Sequence, residues 1–292
     1  MILERKIAVV GGDLRSVKLV EMLEKDGYDV SVYGLENADI LNQYASIKKC
    51  STIDEVIEEN DIIIGPIPFS SNKNEINMLF SNEKLEVEEF FNKITANKVV
   101  IAGSISEDYV KKAEASGAKV IDILKREELA VLNAISTAEG TINIAIQETT
   151  RTLHGSNVLV MGFGRVGKVL AKMLDGIGAN VYCEARKNVD LAWVKAYGYH
   201  PIHLNDLDEH LGKFDIIINT IPFIVLDDKK LDLIKQNCLI IDIASNPGGV
   251  DKNAAKAKGI KSIWALSLPG KVAPVTSAEF IKDTIYNIMK EL

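Results

Sequence analysis

The sequence predicts an α/β protein made of two doubly wound domains, each a parallel sheet covered by helices. Three observations predict it. Short β-rich runs alternate with helical patterns along the whole chain. The phrase DIIIGPIPF at 61–69 is nearly repeated as DIIINTIPF at 215–223. A strand-like run, NVLVM, leads directly into the glycine pattern GFGRVG at 162–167, at the head of an amphipathic stretch.

The first domain, 1–126, opens with KIAVVGG (6–12), an amphipathic stretch to about Lys25, then DVSVYG (29–34). The second, 151–275, opens with NVLVMGFG (157–164), a similar stretch to about Asp175, then NVYCEA (180–185). A shift of 151 lays Gly11 on Gly162, Leu23 on Leu174, Gly27 on Gly178 and Val30 on Val181. Later, NKVVIAG (97–103) answers NCLIIDI (237–243), and SGAKV (116–120) answers KGIKS (258–262). Between the domains, 127–150 places Leu129, Leu132, Ile135, Ile142, Ala145 and Ile146 at helical spacing, with Gly140 a local weak point. This segment reads as a long interdomain helix. A second amphipathic helix, 276–292, is expected to pack back on the first domain, so that two helical connections span a cleft.

Composition bounds the function. With 292 residues, 47% apolar and 26% charged, the chain suits two globular domains with their own cores. A net charge of −7 offers no basic field for nucleic acid. The acidic run EVEEFF (86–91) reads as a solvated helix face. No apolar run reaches bilayer length, and the start, MILERKIAVV, lacks the shape of a secretory signal, so a cytoplasmic protein without membrane contact is expected. Cys50, Cys183 and Cys238 form neither a disulfide nor a metal pattern, which suits a reducing compartment.

The two copies differ where a nucleotide would bind. Gly162, Phe163, Gly164, Arg165, Val166 and Gly167 form a G-x-G-x-x-G between strand and helix. In this Rossmann-like context Gly162 allows the tight turn and Gly164 lets the backbone approach a pyrophosphate. Gly167 permits close helix–strand packing. The first copy has Asp13 and Ser16 in place of Gly164 and Gly167, and a carboxylate there repels phosphate. The first domain is therefore expected to be a substrate or structural domain. At the end of the next strand, Ala185 stands where an NAD site usually carries an acid, and Arg186 and Lys187 follow. A guanidinium there suits a 2′-phosphate, so NADP is the expected cofactor. Glu184, one place earlier, keeps NAD open, and a solvated turn is the bland alternative for the two cations. Thr220, Ile221 and Pro222, with Asn219 before them, are expected at the nicotinamide half, together with Ala244, Ser245, Pro269 and Gly270 from two loops after the last strands.

Acid–base candidates are few. His154, His200, His203 and His210 all precede the last sheet strands, which counts against a 2-hydroxy-acid dehydrogenase with an imidazole acid/base there. No metal-ligand cluster and no nucleophile elbow appears. Arg15, at the start of the first helix, is a candidate for a substrate carboxylate, with a surface ion pair as its alternative role. Ser104 and Ser106 follow a strand in the usual ligand position. Asn133, Thr137, Glu139 and Thr141 flank Gly140 at the domain junction and are expected to line the cleft.

GGDLR, NAISTAEGTI, GFGRVG, NTIP, IASNPGG and LPGKVAP, in this order, resemble bacterial dipicolinate synthase, A-subunit family. The likeness runs from about Lys6 to the final helix, with Ser136 a departure where proline is expected before Thr137-Ala138-Glu139-Gly140. The resemblance implies a sporulation enzyme of the mother-cell cytoplasm, on a branch of the lysine pathway. It would form pyridine-2,6-dicarboxylate from dihydrodipicolinate or its hydrated tetrahydro precursor, with hydride passing to NADP. It also implies a hetero-oligomer, the partner being a flavoprotein-like B subunit. A dianionic substrate then needs local cations, for which Arg15 and Lys271 are chosen, with Arg126 as a further candidate, and Glu139 is the acid/base candidate. A homo-oligomer is expected as well. The competing readings are a shikimate-dehydrogenase-like NADP reductase, a non-catalytic NADP-binding docking protein, and a purely structural repeat with an empty glycine motif.

Overall fold

The computed structural model describes residues 5–292, which divide into two compact units. The first holds the described residues through Leu132 together with Ala273–Leu292, and the second holds Asn133–Val272.

In the first unit the chain runs β1 (Ile7–Val10), α1 (Leu14–Lys25), β2 (Val30–Tyr33), β3 (Lys48–Lys49), α2 (Ile53–Glu59) and β4 (Ile62–Ile64). It continues through α3 (Val87–Lys93), β5 (Val99–Ala102), α4 (Glu107–Ala115), β6 (Lys119–Asp122) and the start of α5 (Glu127–Glu148). The sheet order is β3-β2-β1-β4-β5-β6, all parallel, with Ile7 opposite Val30 on one side and Ile62 on the other. The central strands IAVV, III and VVIA are buried along their whole length. That is what a parallel sheet covered on both faces requires, and it explains continuous apolar runs in place of alternation.

In the second unit β7 (Asn157–Met161), α6 (Arg165–Ile177), β8 (Asn180–Ala185), α7 (Asn188–Ala196), β9 (His200–His203) and β10 (Ile216–Asn219) follow α5. Then come α8 (Asp228–Leu231), β11 (Leu239–Asp242), α9 (Lys252–Ala257), β12 (Ser262–Trp264) and α10 (Leu268–Val272). The order β12-β11-β10-β7-β8-β9 is the same topology as in the first unit, with Val158 opposite both Val181 and Ile216. β1 and β7 are thus equivalent first strands, flanked by the reversal of winding where doubly wound sheets bind ligands. DIIIGPIPF and DIIINTIPF carry the equivalent fourth strands β4 and β10.

α5 contributes Leu129 to the core of the first unit and Ala138, Ile142 and Ala145 to that of the second. Among the described residues it is the one helix long and apolar enough to cross a membrane, although its sequence holds no unbroken apolar run of that length. Leu129, Ala134, Ala138, Ile142 and Ala145 are buried, while Val131 and Ile146 are exposed. The Cys183 and Cys238 thiols are both pushed up to about 12 by burial, as befits small core side chains.

The last helix, α11 (Pro274–Glu291), belongs to the first unit. It starts two residues before the amphipathic pattern suggested, because Pro274 sits in the first turn, where a missing N–H costs no helical bond. Ala278, Ile281, Ile285, Ile288 and Met289 pack with Leu19, Val20 and Leu23 of α1. At the rim, Lys282 and Tyr286 each donate to Asp26 Oδ2 at 2.6 Å. Those two hydrogen bonds, Lys282 first, hold the Asp26 carboxyl below its ordinary value of 3.8. Ile285 is fully buried, so Ile285→Ala removes core contacts and leaves a cavity. It should cost about 2–5 kcal/mol of stability, read as a lower midpoint in chemical denaturation.

Candidate active site

The second unit places three loops at the carboxyl ends of β7, β10 and β11. The turn after β7 is built on glycine. Gly162 has φ +88°, a conformation that side-chain-bearing residues avoid, and a Cβ there would lie 2.5 Å from Thr220 Oγ1. Gly167 packs so tightly that a Cβ would lie 2.0 Å from the Gly162 carbonyl oxygen. At Gly164 a Cβ would meet nothing within 4 Å. Gly164 is the N-cap of α6, with no side-chain cap and no acid in the first turn. An uncapped helix start beside open space is the arrangement that holds a diphosphate through backbone N–H groups. Phe163 is buried and its ring packs toward Tyr197, 6.3 Å away, so it offers the site only its backbone.

At the end of β8, Ala185 is buried while Arg186 and Lys187 are exposed. Glu184 is fully buried and accepts a hydrogen bond from Gly162 N–H through Oε2 at 3.1 Å. Burial raises its carboxyl above the ordinary value of 4.5, against smaller lowering by Gly162 N–H, Arg186 and His203.

The loops after β10 and β11 share one buried network. Asn219 Nδ2 donates to Asp242 Oδ1 at 2.8 Å and to the Ile221 carbonyl at 3.0 Å, while its Oδ1 accepts from Ile221 N–H at 3.1 Å. Asp242 also accepts from Ala244 N–H at 3.1 Å and Gly249 N–H at 2.8 Å. Thr220 Oγ1 donates to the Met161 carbonyl at 2.9 Å. Thr220, Ile221, Ala244 and Ser245 are thereby fixed at the same sheet edge as the glycine turn, with Pro222 exposed beside them.

Pro269 and Gly270 lie in α10, a short helix where the sequence suggested a rigid loop. It follows Ser267, which has φ +59°. α10 rests on α5 at Gly140, where a Cβ would stand 3.2 Å from Leu268 Cβ and from Val272 Cγ2. The weak point in the helix is therefore a place of close approach.

The equivalent edge of the first unit is closed by its own chain. Asp13 is the N-cap of α1, as Gly164 is of α6, but its carboxylate accepts from Arg15 N–H at 2.9 Å. Gly12 N–H donates to the Asn77 carbonyl at 2.7 Å, and Leu79 N–H donates to the Gly12 carbonyl at 3.0 Å. Met78 fills the space beside the turn: a Cβ on Gly11 would lie 2.6 Å from its Cγ, and one on Gly34 2.6 Å from its Sδ. Asn37 N–H to the Phe80 carbonyl and Tyr33 Oη–H to Glu83 hold the same segment down. This plug is a structural feature that sequence reasoning missed.

Comparison with known proteins agrees with this geometry. Residues 6–124 match the family model of the dipicolinate synthase A-subunit N-terminal domain, and residues 133–257 match "D-isomer specific 2-hydroxyacid dehydrogenase, NAD binding domain". Over 98% of its length the chain is 35% identical to the dipicolinate synthase A-subunit of Bacillus subtilis (strain 168), covering 96% of that protein. The chain belongs to the dipicolinate synthase A-subunit family. Crystal structures of the dipicolinate synthase A-subunits from Bacillus halodurans and Bacillus subtilis both match with TM-score 0.89. Their identities are 32% and 34%, with coverage of 99% of both chains and of 98% and 96% respectively. As a family member with a nicotinamide-binding dehydrogenase domain, the chain is an oxidoreductase that uses a nicotinamide cofactor.

In this dipicolinate synthase family member the proposed substrate residues fall on different elements. Arg15 is chelated by Asp13, with Nη2 to Oδ2 at 2.7 Å and Nε to Oδ1 at 3.0 Å, and Nη2 also reaches the Ile67 carbonyl. Its Nη1 has no partner among the described residues. Ser104 has φ +58° and donates its N–H to Asp122 Oδ1 at 3.1 Å, and Ser106 is the exposed N-cap of α4. On α5, Glu139 is exposed, while Thr137 and Thr141 donate their hydroxyls to the carbonyls of Asn133 and Thr137 at 2.8 and 2.7 Å. Thr141 is fully buried, which leaves it a helix-packing residue with no free face for a ligand. Asn133 Oδ1 is buried without a partner among the described residues. Lys271 is exposed on α10. Arg126 is corrected: its guanidinium is paired with Glu291 of α11 at 2.6 and 2.7 Å and with Glu128, so it is a structural tie.

The glycine contacts make opposite predictions for two alanine substitutions. Gly164→Ala should melt like the wild type yet weaken cofactor binding about tenfold or more, since its methyl enters only the phosphate space. Gly167→Ala should lower the melting temperature itself, because its methyl meets a backbone carbonyl. Thermal melts with and without NADP+ check both.

Proposed function

We propose that this protein oxidises dihydrodipicolinate, or its hydrated tetrahydro precursor, to pyridine-2,6-dicarboxylate, with NADP+ as oxidant. The observation that carries the reading is identity along nearly the whole chain to a dipicolinate synthase A-subunit, joined to an uncapped, open glycine turn in the second unit. When bound, the nicotinamide supplies the hydride acceptor. From dihydrodipicolinate, one ring hydrogen leaves as hydride and a second as a proton, and the ring becomes aromatic; the hydrated precursor loses one water as well. Aromatisation drives the reaction, so the protein's part is orientation and removal of the proton.

Arg15 offers its remaining Nη1 to one substrate carboxylate, and Lys271 offers its ammonium to the other. Glu139 takes the proton. Ser104, Ser106, Asn133 and Thr137 orient the ring through their polar groups. The preference for NADP rests on Arg186 and Lys187, exposed beside the buried Ala185, and on Glu184 being turned away from the place where an acid would bind ribose hydroxyls. A flavoprotein-like B subunit is the partner, and the mother-cell cytoplasm of a sporulating bacterium is the compartment.

The test supplies dihydrodipicolinate and NADP+ to the chain in complex with its B subunit. The ultraviolet absorbances of dipicolinate and NADPH are followed together. Equal formation of both is expected, and dipicolinate formed without NADPH would refute the oxidant. Arg186→Ala should raise KM for NADP+ about tenfold or more and leave KM for NAD+ within about twofold. Glu139→Gln should lower kcat by about 10²-fold or more with little change in KM, and full turnover would refute its role.

A further inference from the structure

Glu184 is the one buried carboxyl in the second unit with an oxygen that lacks a hydrogen-bond partner among the described residues. Its Oε2 accepts from Gly162 N–H at 3.1 Å, and the same N–H is shared with the Glu184 backbone carbonyl, to which it donates at 3.2 Å. Oε1 accepts no hydrogen bond among the described residues. A fully buried carboxyl with one accepted bond is a destabilising choice, and an apolar side chain on this face of β8, beside Tyr182 and opposite Ile202, would pack without that penalty. The feature that sets Glu184 apart is its partner. Gly162 is the positive-φ residue on which the turn pivots, and Gly164, two residues on, borders the open phosphate space.

We propose that Glu184 is the positioning residue of the dinucleotide site: its carboxyl holds Gly162 N–H so that the glycine turn presents bare backbone to the cofactor's diphosphate. The carboxyl acts on the cofactor through the turn, from below, and makes no contact with the adenosine ribose. Burial also raises its carboxyl above the ordinary value, which favours the neutral form. The inference rests on the second unit binding a nicotinamide dinucleotide and is independent of which substrate is oxidised.

The experiment measures Kd for NADPH and for NADH from the fluorescence of the bound reduced nicotinamide, on the full chain. The variants are Glu184→Met, which keeps bulk and removes the acceptor, and Glu184→Gln, which keeps an acceptor oxygen. Glu184→Met should weaken both cofactors by the same factor, about tenfold. Glu184→Gln should restore both to within about threefold of the wild type. A common factor follows from action on the shared diphosphate, whereas a ribose-reading carboxyl would change the ratio of the two cofactors. A merely structural role would lower the melting temperature and leave Kd of the folded protein unchanged. Either of those results, or a Gln variant as weak as the Met variant, overturns the proposal. Should Glu184→Met fail to melt cooperatively, the Gln variant decides alone. Binding of both cofactors within about threefold supports the proposal, and weaker binding overturns it.

Discussion

The approach of α6 to β7 is the constraint on which the second unit depends. The Gly162 carbonyl oxygen stands where a side chain at 167 would begin, at 2.0 Å from a notional Cβ. Only glycine lets the helix start that close to the strand, and only then does the helix aim its first N–H groups at the sheet edge. The first unit meets the same crowding with a different exchange. There Ser16 takes the place of Gly167, and its hydroxyl lies 1.9 Å from where a Cβ on Gly12 would be. Bulk sits at position 163 as Phe in one copy and at position 16 as Ser in the other, and the glycine moves accordingly.

Two copies of one topology have therefore diverged by filling different volumes. In the first, Met78 and its flanking backbone occupy the space beside the turn, and the Asp13 carboxylate is bound by Arg15. The repulsion expected from Asp13 is largely neutralised by that pairing, so occupied space, more than charge, closes this edge to a dinucleotide. In the second, Asn219 and Asp242 fix the neighbouring loops by buried hydrogen bonds, and the space in front of Gly164 stays open.

The repeat, both sheets and the glycine turn were legible because each depends on neighbours in sequence: apolar runs, a short motif, a constant offset. Glu184 was legible in principle, since side chains alternate along a strand and Glu184 and Ala185 must face opposite ways. What was illegible depends on partners far along the chain. Met78 reaches back to Gly11 and Gly34, with only the paired glycines as a hint of a close neighbour. Arg126 looks like a free cation until Glu291, 165 positions later, is placed against it. Gly140 reads as a flaw in a helix until α10 is seen lying on it. Thr137 and Thr141 look available on polarity alone, but a helix offers its own carbonyls to their hydroxyls.

The return of α11 to α1 has a consequence for biosynthesis. The core of the first unit includes Ala278, Ile281, Ile285 and Ile288, which the ribosome delivers only after every residue of the second unit. Segments emerge in N- to C-terminal order, so the later sheet can close while the earlier one still exposes the apolar groove of α1. The first unit therefore completes its core only after the whole of the second has been synthesised.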